Sequence, residues 1–373
     1  MLLQFLNLSH NKLGRDDETV VIKFDPNINE LSCKPQPPNK SSPRMYRVYK
    51  VLDECETVSN KEYNDCIADG IADEVSSIIN AKSLIKKYKS DLADRMYNYS
   101  CNDETLETSS TKIIQRTLLQ GVEYDVHVHL DKKASKILSI PHFVTSEECS
   151  HLVEYAQGRF TDAPVISEDG TSTISKLRRA NQASYTFPID KIMDGDRLWP
   201  LYTRIIDMAN IHGGMNYELP LEGQEGFTII QYRVGDAYAP HCDGRCDGSR
   251  FEPGHSGRVA TALLYCATAT RGGGTVFPHA DVFIKPEPGM MLLFSYKGSD
   301  GFSDPGYTEH GGCAVAEGEK VVVSAWLREG VSSDNPWSLY DPYGVKMPRS
   351  TGKNADEGLR VESIQEHEIS ATL

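Results

Sequence analysis

The 373-residue sequence predicts an α+β chain, with helices first and a strand-rich sandwich or double-sheet barrel after them. Three observations carry this. Residues 60–97 set Ile67, Ile71, Val75, Ile78, Ile79, Leu84 and Tyr88 at helical spacing. From residue 226 onward, short apolar runs are broken by glycine and proline at close intervals. Helices and strands do not alternate, which argues against doubly wound sheets and (β/α) barrels.

In chain order, residues 1–44 read as a poorly ordered N-terminal segment and linker, ending in the Pro- and Ser-rich "CKPQPPNKSSP". Residues 45–125 read as a helical extension of one or two amphipathic helices. The strand-rich domain is expected over 126–332. Near its start lies "VHVHLD", a strand with His127 and His129 half-exposed. "KILSIPHFV" is strand-like and leads into the helix of "TSEECSHLVEYAQ", where Thr145 and Glu148 form a capping-box pattern. A second helix is predicted from near Pro200, with Leu201, Ile205 and Met208 on one face. The strands are "GFTIIQYRVG", "RVATALLYC", "GTVFP", "DVFIKP", "GMMLLFSY" and "KVVVSAWL". Residues 333–373 are polar and read as a mostly disordered tail.

Hydrophobic residues make up 39% and charged residues 25%, as in ordinary globular chains. The formal net charge of −14, with no dense Lys/Arg run, argues against a nucleic-acid partner. No apolar run approaches the roughly 20 residues that span a bilayer. "MLLQFLNLSHNK" is apolar but lacks a basic start and a small-residue cleavage site. There are nine cysteines, and Cys33, Cys55, Cys66 and Cys101 lie close enough in sequence to pair with one another. Sequons at Asn7, Asn39 and Asn98 fit a lumenal chain, and the compartment stays open.

The densest chemistry is "HCDGRC" at 241–246. It admits half of an iron site, part of a zinc site or a disulfide-bearing loop. If strand alternation continues through Tyr238–Asp243, His241 and Asp243 share a face and Cys242 points away. That opposes zinc shared by His241 and Cys242. With a second histidine, such as His310 in "GYTEHGGC", the pair would form a two-His, one-carboxylate set that suits Fe(II) and leaves positions for a cosubstrate and O2.

An ordered series of motifs extends this. "IPHFVTSEECSHLV", "QYRVGDAYAPHCD", "RVATALLY", "GGGTVFP", "KPEPGMMLLF" and "HGGCAVAEGEKVVVSAWLRE" follow one another over residues 135–328. Together they resemble the catalytic domain of the prolyl 4-hydroxylases, which are Fe(II)- and 2-oxoglutarate-dependent dioxygenases. The resemblance implies a double-stranded β-helix, or jelly-roll, with flanking helices. It implies His241, Asp243 and His310 as iron ligands, and Lys320 as the cation on the distal carboxylate of 2-oxoglutarate. Tyr232 matches a cosubstrate-bonding tyrosine, and Thr275 is a second candidate. Tyr238, Arg258 and Trp326 match positions lining a peptide groove.

The implied reaction converts peptidyl proline to 4-hydroxyproline with O2 as cosubstrate, releasing succinate and CO2, with L-ascorbate maintaining the iron. The family also implies the endoplasmic reticulum lumen, with the cytoplasm as alternative. The alternatives in function are an oxygenase for another side chain, such as lysine, and a non-catalytic binding module. Lysyl hydroxylases usually place arginine where Lys320 stands, and an intact ligand set opposes the binding module. The protein substrate and the oligomeric state stay open. The chain departs from the family where Cys242 and "GRC" replace an aromatic residue, Ala314 a proline, Val321 a tryptophan, and "CATATRGG" a Leu-Asn turn.

Overall fold

The computed structural model describes residues 63–111, 113–166, 172–173, 177–187, 195–213, 218–252 and 254–347. The chain divides into two units, Met1–Ser90 and Asp91–Leu373. The predicted N-terminal linker and the sequons at Asn7 and Asn39 lie outside the described residues. The helical periodicity of 60–97 forms one helix, α1, Tyr63–Asn102. Asn98 is exposed on it.

The second unit is built on two antiparallel sheets. Counting only their strands, these are β1 Ile113–Leu119, β2 Val122–Lys132, β3 Ser135–Ile140, β4 Thr161–Asp162, β5 Asn181–Tyr185, β6 Phe227–Tyr232, β7 Tyr238–His241 and β8 Arg258–Ala267. There follow β9 Thr275–Phe277, β10 Val282–Ile284, β11 Met291–Ser295, β12 His310–Gly312 and β13 Lys320–Arg328. Helix α2 is Ser146–Ala156 and helix α3 is Trp199–His212. The nine-stranded sheet runs β1-β2-β3-β11-β8-β13-β6-β5-β4, and the four-stranded sheet runs β10-β9-β12-β7. From β6 to β13 the chain passes between the sheets repeatedly, so residues distant in sequence meet in the space between them.

Strand alternation sorts the core into two layers. On β11, Met291 and Leu293 face a cluster that includes Leu152, Leu201 and Ile205 of the helices. Leu292 and Phe294 face the other sheet, where they join Phe277, Val282 and Ile284. β6 and β13 divide in the same way, with Ile229 and Val323 toward the helices and Ile230 and Val322 toward the interior. Near-continuous Val, Ile and Leu runs on these strands follow from burial on both faces.

The helices begin where their capping residues place them. The Thr145 hydroxyl accepts from the Glu148 amide at 3.1 Å, and the Glu148 carboxylate accepts from the Thr145 amide at 2.9 Å. Glu148 also accepts from Arg204 of α3 at 2.8 Å, joining the two helices. Pro200 sits in the first turn of α3, where a missing N–H costs nothing.

Several expectations are corrected. The helical extension does not reach residue 125, because β1 and β2 form a hairpin turning at Gln120 and Gly121, both with positive φ (50° and 81°). That two-residue turn matches the strand twist, as hairpin turns require. The tail does not begin at 333. Residues up to 347 pack on the domain: the Asp341 carbonyl accepts from Arg328 at 2.7 Å and the Pro342 carbonyl accepts from the Arg258 amide at 2.9 Å. Cys101 does not pair near its own end of the chain but with Cys313. Cys149 pairs with Cys266, and Cys242 with Cys246. His129 is buried rather than half-exposed. It occupies a bulge between Val128 and Leu130, and both ring nitrogens are engaged, with the Ser109 carbonyl at 3.1 Å and the Ser139 hydroxyl at 2.8 Å.

Candidate metal centre and active site

Antiparallel pairing of β7 with β12 sets His241 and His310 directly opposite each other. Their ring centroids lie 4.4 Å apart. Asp243 completes the set, with carboxylate oxygens 3.5 Å from His241 Nε2 and 3.8 Å from His310 Nε2. Among the described residues, this is the one cluster of three His, Cys, Asp or Glu side chains able to converge on an ion. One expectation is revised: β7 ends at His241, so Asp243 is delivered by a bend and not by strand alternation.

The donors are oriented for a metal. His241 Nδ1 bonds the Ala239 carbonyl at 2.9 Å, and His310 Nδ1 bonds the Thr308 carbonyl at 3.0 Å. A carbonyl can only accept, so Nδ1 carries the proton in both rings and each Nε2 keeps its lone pair. Burial pushes the His310 imidazole down to about 4, keeping it neutral near pH 7. Burial alone would raise the Asp243 carboxyl. His310, His241 and Arg258 outweigh it and hold the group well below the usual carboxylate range. Two neutral imidazoles and one carboxylate fit a divalent iron ion.

A second layer holds the ligands. The Thr261 hydroxyl on β8 donates to Asp243 Oδ2 at 2.8 Å, and Arg258 Nη1 reaches the Asp243 carbonyl at 3.4 Å. A Cβ on Gly244 would lie 2.4 Å from the Tyr296 ring, so only glycine lets the loop pass there. His310 is wedged by Phe294, with centroids 4.6 Å apart, and by Phe277 at 5.6 Å. Its carbonyl partner Thr308 is fixed by buried Asp304, which accepts from the Thr308 amide and hydroxyl at 2.8 Å each and from the Gly306 and Tyr307 amides.

Close to Gly312, two residues beyond His310, lies the buried side chain of Lys320. Lys320 is paired across the ladder with Tyr232. Its Nζ donates to the Gly273 carbonyl at 2.8 Å and sits over the Tyr232 and Tyr265 rings at 5.6 and 5.5 Å. Burial pulls the Lys320 ammonium down to about 7. Thr275 is buried, with its hydroxyl 2.8 Å from the Tyr265 hydroxyl. The structure therefore brings Lys320, Tyr232 and Thr275 together.

The three expected groove residues divide. Tyr238 is half-buried and stacks on the His241 ring at 3.5 Å and 15°. Trp326 is half-buried, and its indole N–H is buried without a partner among the described residues. Arg258 is corrected: its guanidinium is committed to the buried Glu225 carboxylate through bonds of 2.6 and 2.7 Å and lies 3.9 Å from the Trp326 ring. Glu225 also accepts from Arg328 at 2.6 Å. Burial would raise the Glu225 carboxyl, but Arg258 and Arg328 bring it net below its ordinary value.

Sequence reasoning missed Arg178, Thr261, Tyr265 and Asp304. Arg178 is buried, lies 4.9 Å from the Tyr238 ring and hydrogen-bonds Tyr232. "KLRRAN" has no local pattern that distinguishes it. Thr261 and Tyr265 had a signal: both fall on the interior face of "RVATALLY", in register with Lys320's strand.

Probable prolyl 4-hydroxylase 10 of Arabidopsis thaliana is 30% identical over 242 residues, which cover 58% of this chain and 78% of that protein. This chain belongs to the prolyl 4-hydroxylase family. The model of the 2OG-Fe(II) oxygenase superfamily matches residues 227–328, from β6 to β13, which contain the His/Asp cluster and Lys320. Prolyl 4-hydroxylase 2 of the same plant is 30% identical over 211 residues, 50% of this chain and 64% of that protein. Across the Arabidopsis relatives the match spans 64 to 78% of their own length. A viral collagen prolyl hydroxylase from Paramecium Bursaria Chlorella virus-1 is a solved structure with 21% identity and a TM-score of 0.38, covering 52% of this chain and 95% of that one.

Proposed function

We propose that this prolyl 4-hydroxylase family member hydroxylates C4 of peptidyl proline, using Fe(II), 2-oxoglutarate and O2 and releasing succinate and CO2. One observation carries the reading: His241, Asp243 and His310 converge in the same interior as a buried, anion-seeking Lys320. The passage of β6–β13 between two sheets supports reading the core as a double-stranded β-helix.

His241, Asp243 and His310 would hold the iron, which when bound supplies the O2 chemistry that replaces C–H with C–OH. The chain supplies orientation and charge. Lys320 pairs the distal carboxylate of 2-oxoglutarate, with the Tyr232 and Thr275 hydroxyls beside it. A buried carboxylate there needs such a partner, and it favours the ammonium form of Lys320. Tyr238 and Trp326, both half-buried, offer aromatic surface to a proline ring. Arg258 serves as a brace between Glu225, Trp326 and the Asp243 backbone. Interior side chains from both sheets exclude bulk water. Ascorbate as reductant follows from the family. Three described disulfides support an oxidising compartment such as the endoplasmic reticulum lumen.

The test is mass spectrometry of proline-containing peptides incubated with the protein, Fe(II), 2-oxoglutarate, ascorbate and air. A gain of one oxygen on proline, absent in His310→Ala, is expected. Succinate without peptide oxidation would reject proline as the target.

A further inference from the structure

Asp243 faces a mechanical problem. The ladder that fixes its neighbour ends at His241, so no strand pairing holds the carboxylate in place. Instead, a disulfide brackets it, joining Cys242 immediately before it to Cys246 three residues after. We propose that the Cys242–Cys246 disulfide is a redox-sensitive clamp that holds Asp243 in its ligating position, so that opening it with a dithiol weakens iron binding. The proposal rests on the ligand assignment above.

Two independent features separate this bridge from the others described. Its sequence separation is 4, against 117 for Cys149–Cys266 and 212 for Cys101–Cys313. A bridge restrains the unfolded chain more as its loop lengthens, so the short one contributes least to global stability and acts locally. Access differs too. Cys149 is 7% and Cys313 is 4% exposed, whereas Cys242 and Cys246 are both half-buried, leaving neither sulfur residue sealed in the core. The loop it closes is otherwise held by Thr261 on the Asp243 carboxylate, Arg258 on the Asp243 carbonyl and Gly244 against Tyr296. These contacts come from β8 and from Tyr296 just after β11, and the disulfide adds a covalent link within the loop itself.

The chemistry is thiol–disulfide exchange. A thiolate of the dithiol attacks one sulfur, and the second thiol closes the reagent to a cyclic disulfide. The Cys242–Cys246 bond accepts two electrons and two protons and becomes two thiols. Asp243 then samples positions away from His241 and His310. Loss of an outer-layer restraint costs metal affinity on the order of 10-fold or more.

The experiment measures anaerobic Fe(II) binding to the full chain by equilibrium dialysis across graded dithiol treatment. Thiol trapping with mass spectrometry reports which bridges are open. The dissociation constant should rise about tenfold as Cys242–Cys246 opens while Cys149–Cys266 and Cys101–Cys313 stay closed. A C242S/C246S double variant should bind weakly from the start and not respond to mild dithiol. If that variant does not fold, the wild-type series decides alone. Unchanged affinity with the bridge open overturns the clamp. Failure of the untreated protein to bind Fe(II) overturns the ligand assignment instead.

Discussion

Thr261 and Lys320 show how single side chains set the chemistry. Thr261 stabilises the one anionic ligand through a 2.8 Å bond. Thr261→Val keeps the shape of the side chain and removes the donor, so Fe(II) affinity should fall about tenfold in a metal titration, with the melting temperature nearly unchanged. Lys320 carries a pH prediction. Burial holds its pKa at about 7, so above that value the free protein has mostly neutral Lys320. A bound dicarboxylate favours the ammonium, and binding 2-oxoglutarate at about pH 8 therefore takes up a proton. Affinity should fall as pH rises above about 7, and calorimetry in buffers of different ionisation enthalpy should show the uptake. Lys320→Arg should abolish the uptake, because a guanidinium stays charged. At this scale His241, Asp243, His310 and Lys320 were legible because their spacing relates them to the family motif. Arg178 was not, since its role depends on a contact with Tyr238 sixty residues away.

At the scale of elements, local rules decided what could be read. The start of α2 was legible because Thr145 and Glu148 satisfy each other's backbone within one turn. Thr145→Ala should cost about 1 kcal/mol by denaturant titration. The second half of β2 was legible as the strand "VHVHLD", but β1 and its pairing with β2 were not. Ile113, Ile114, Leu118 and Val122 are exposed on the hairpin, so no clean inside–outside alternation marks this stretch. The Gln120-Gly121 turn was the available signal. The 304–308 turn was also hidden. Asp304→Asn loses acceptor capacity for amides at Gly306, Tyr307 and Thr308, which should loosen the Thr308 carbonyl and with it His310. Weaker Fe(II) binding is expected, with partial retention in Thr308→Ser, which keeps the hydroxyl donor to Asp304.

At the scale of the molecule, two long-range disulfides and one buried histidine shape stability. Cys101–Cys313 ties the end of α1 to the strand segment just after His310, and the Tyr97 hydroxyl donates to the Gly312 carbonyl at 2.8 Å beside it. Replacing both cysteines with serine should cost about 2–5 kcal/mol in chemical denaturation. His129 imposes acid sensitivity, because burial lowers its pKa from 6.5 to about 4. Between those values the unfolded chain binds more protons than the folded one, so this contribution is complete above 6.5 and is lost as pH falls through about 4. His129→Gln should flatten that part of the stability profile. The two-sheet architecture was legible from strand spacing, whereas the pairings that place Cys101 on Cys313 and His241 opposite His310 belong to topology that strand patterns do not encode. The most direct test of the account is the stoichiometry of anaerobic Fe(II) binding in wild type and in the His241→Ala, Asp243→Ala and His310→Ala variants. The account predicts one Fe(II) per chain in wild type and loss of tight binding in each variant. Full stoichiometry retained at wild-type affinity in any of the three would contradict it.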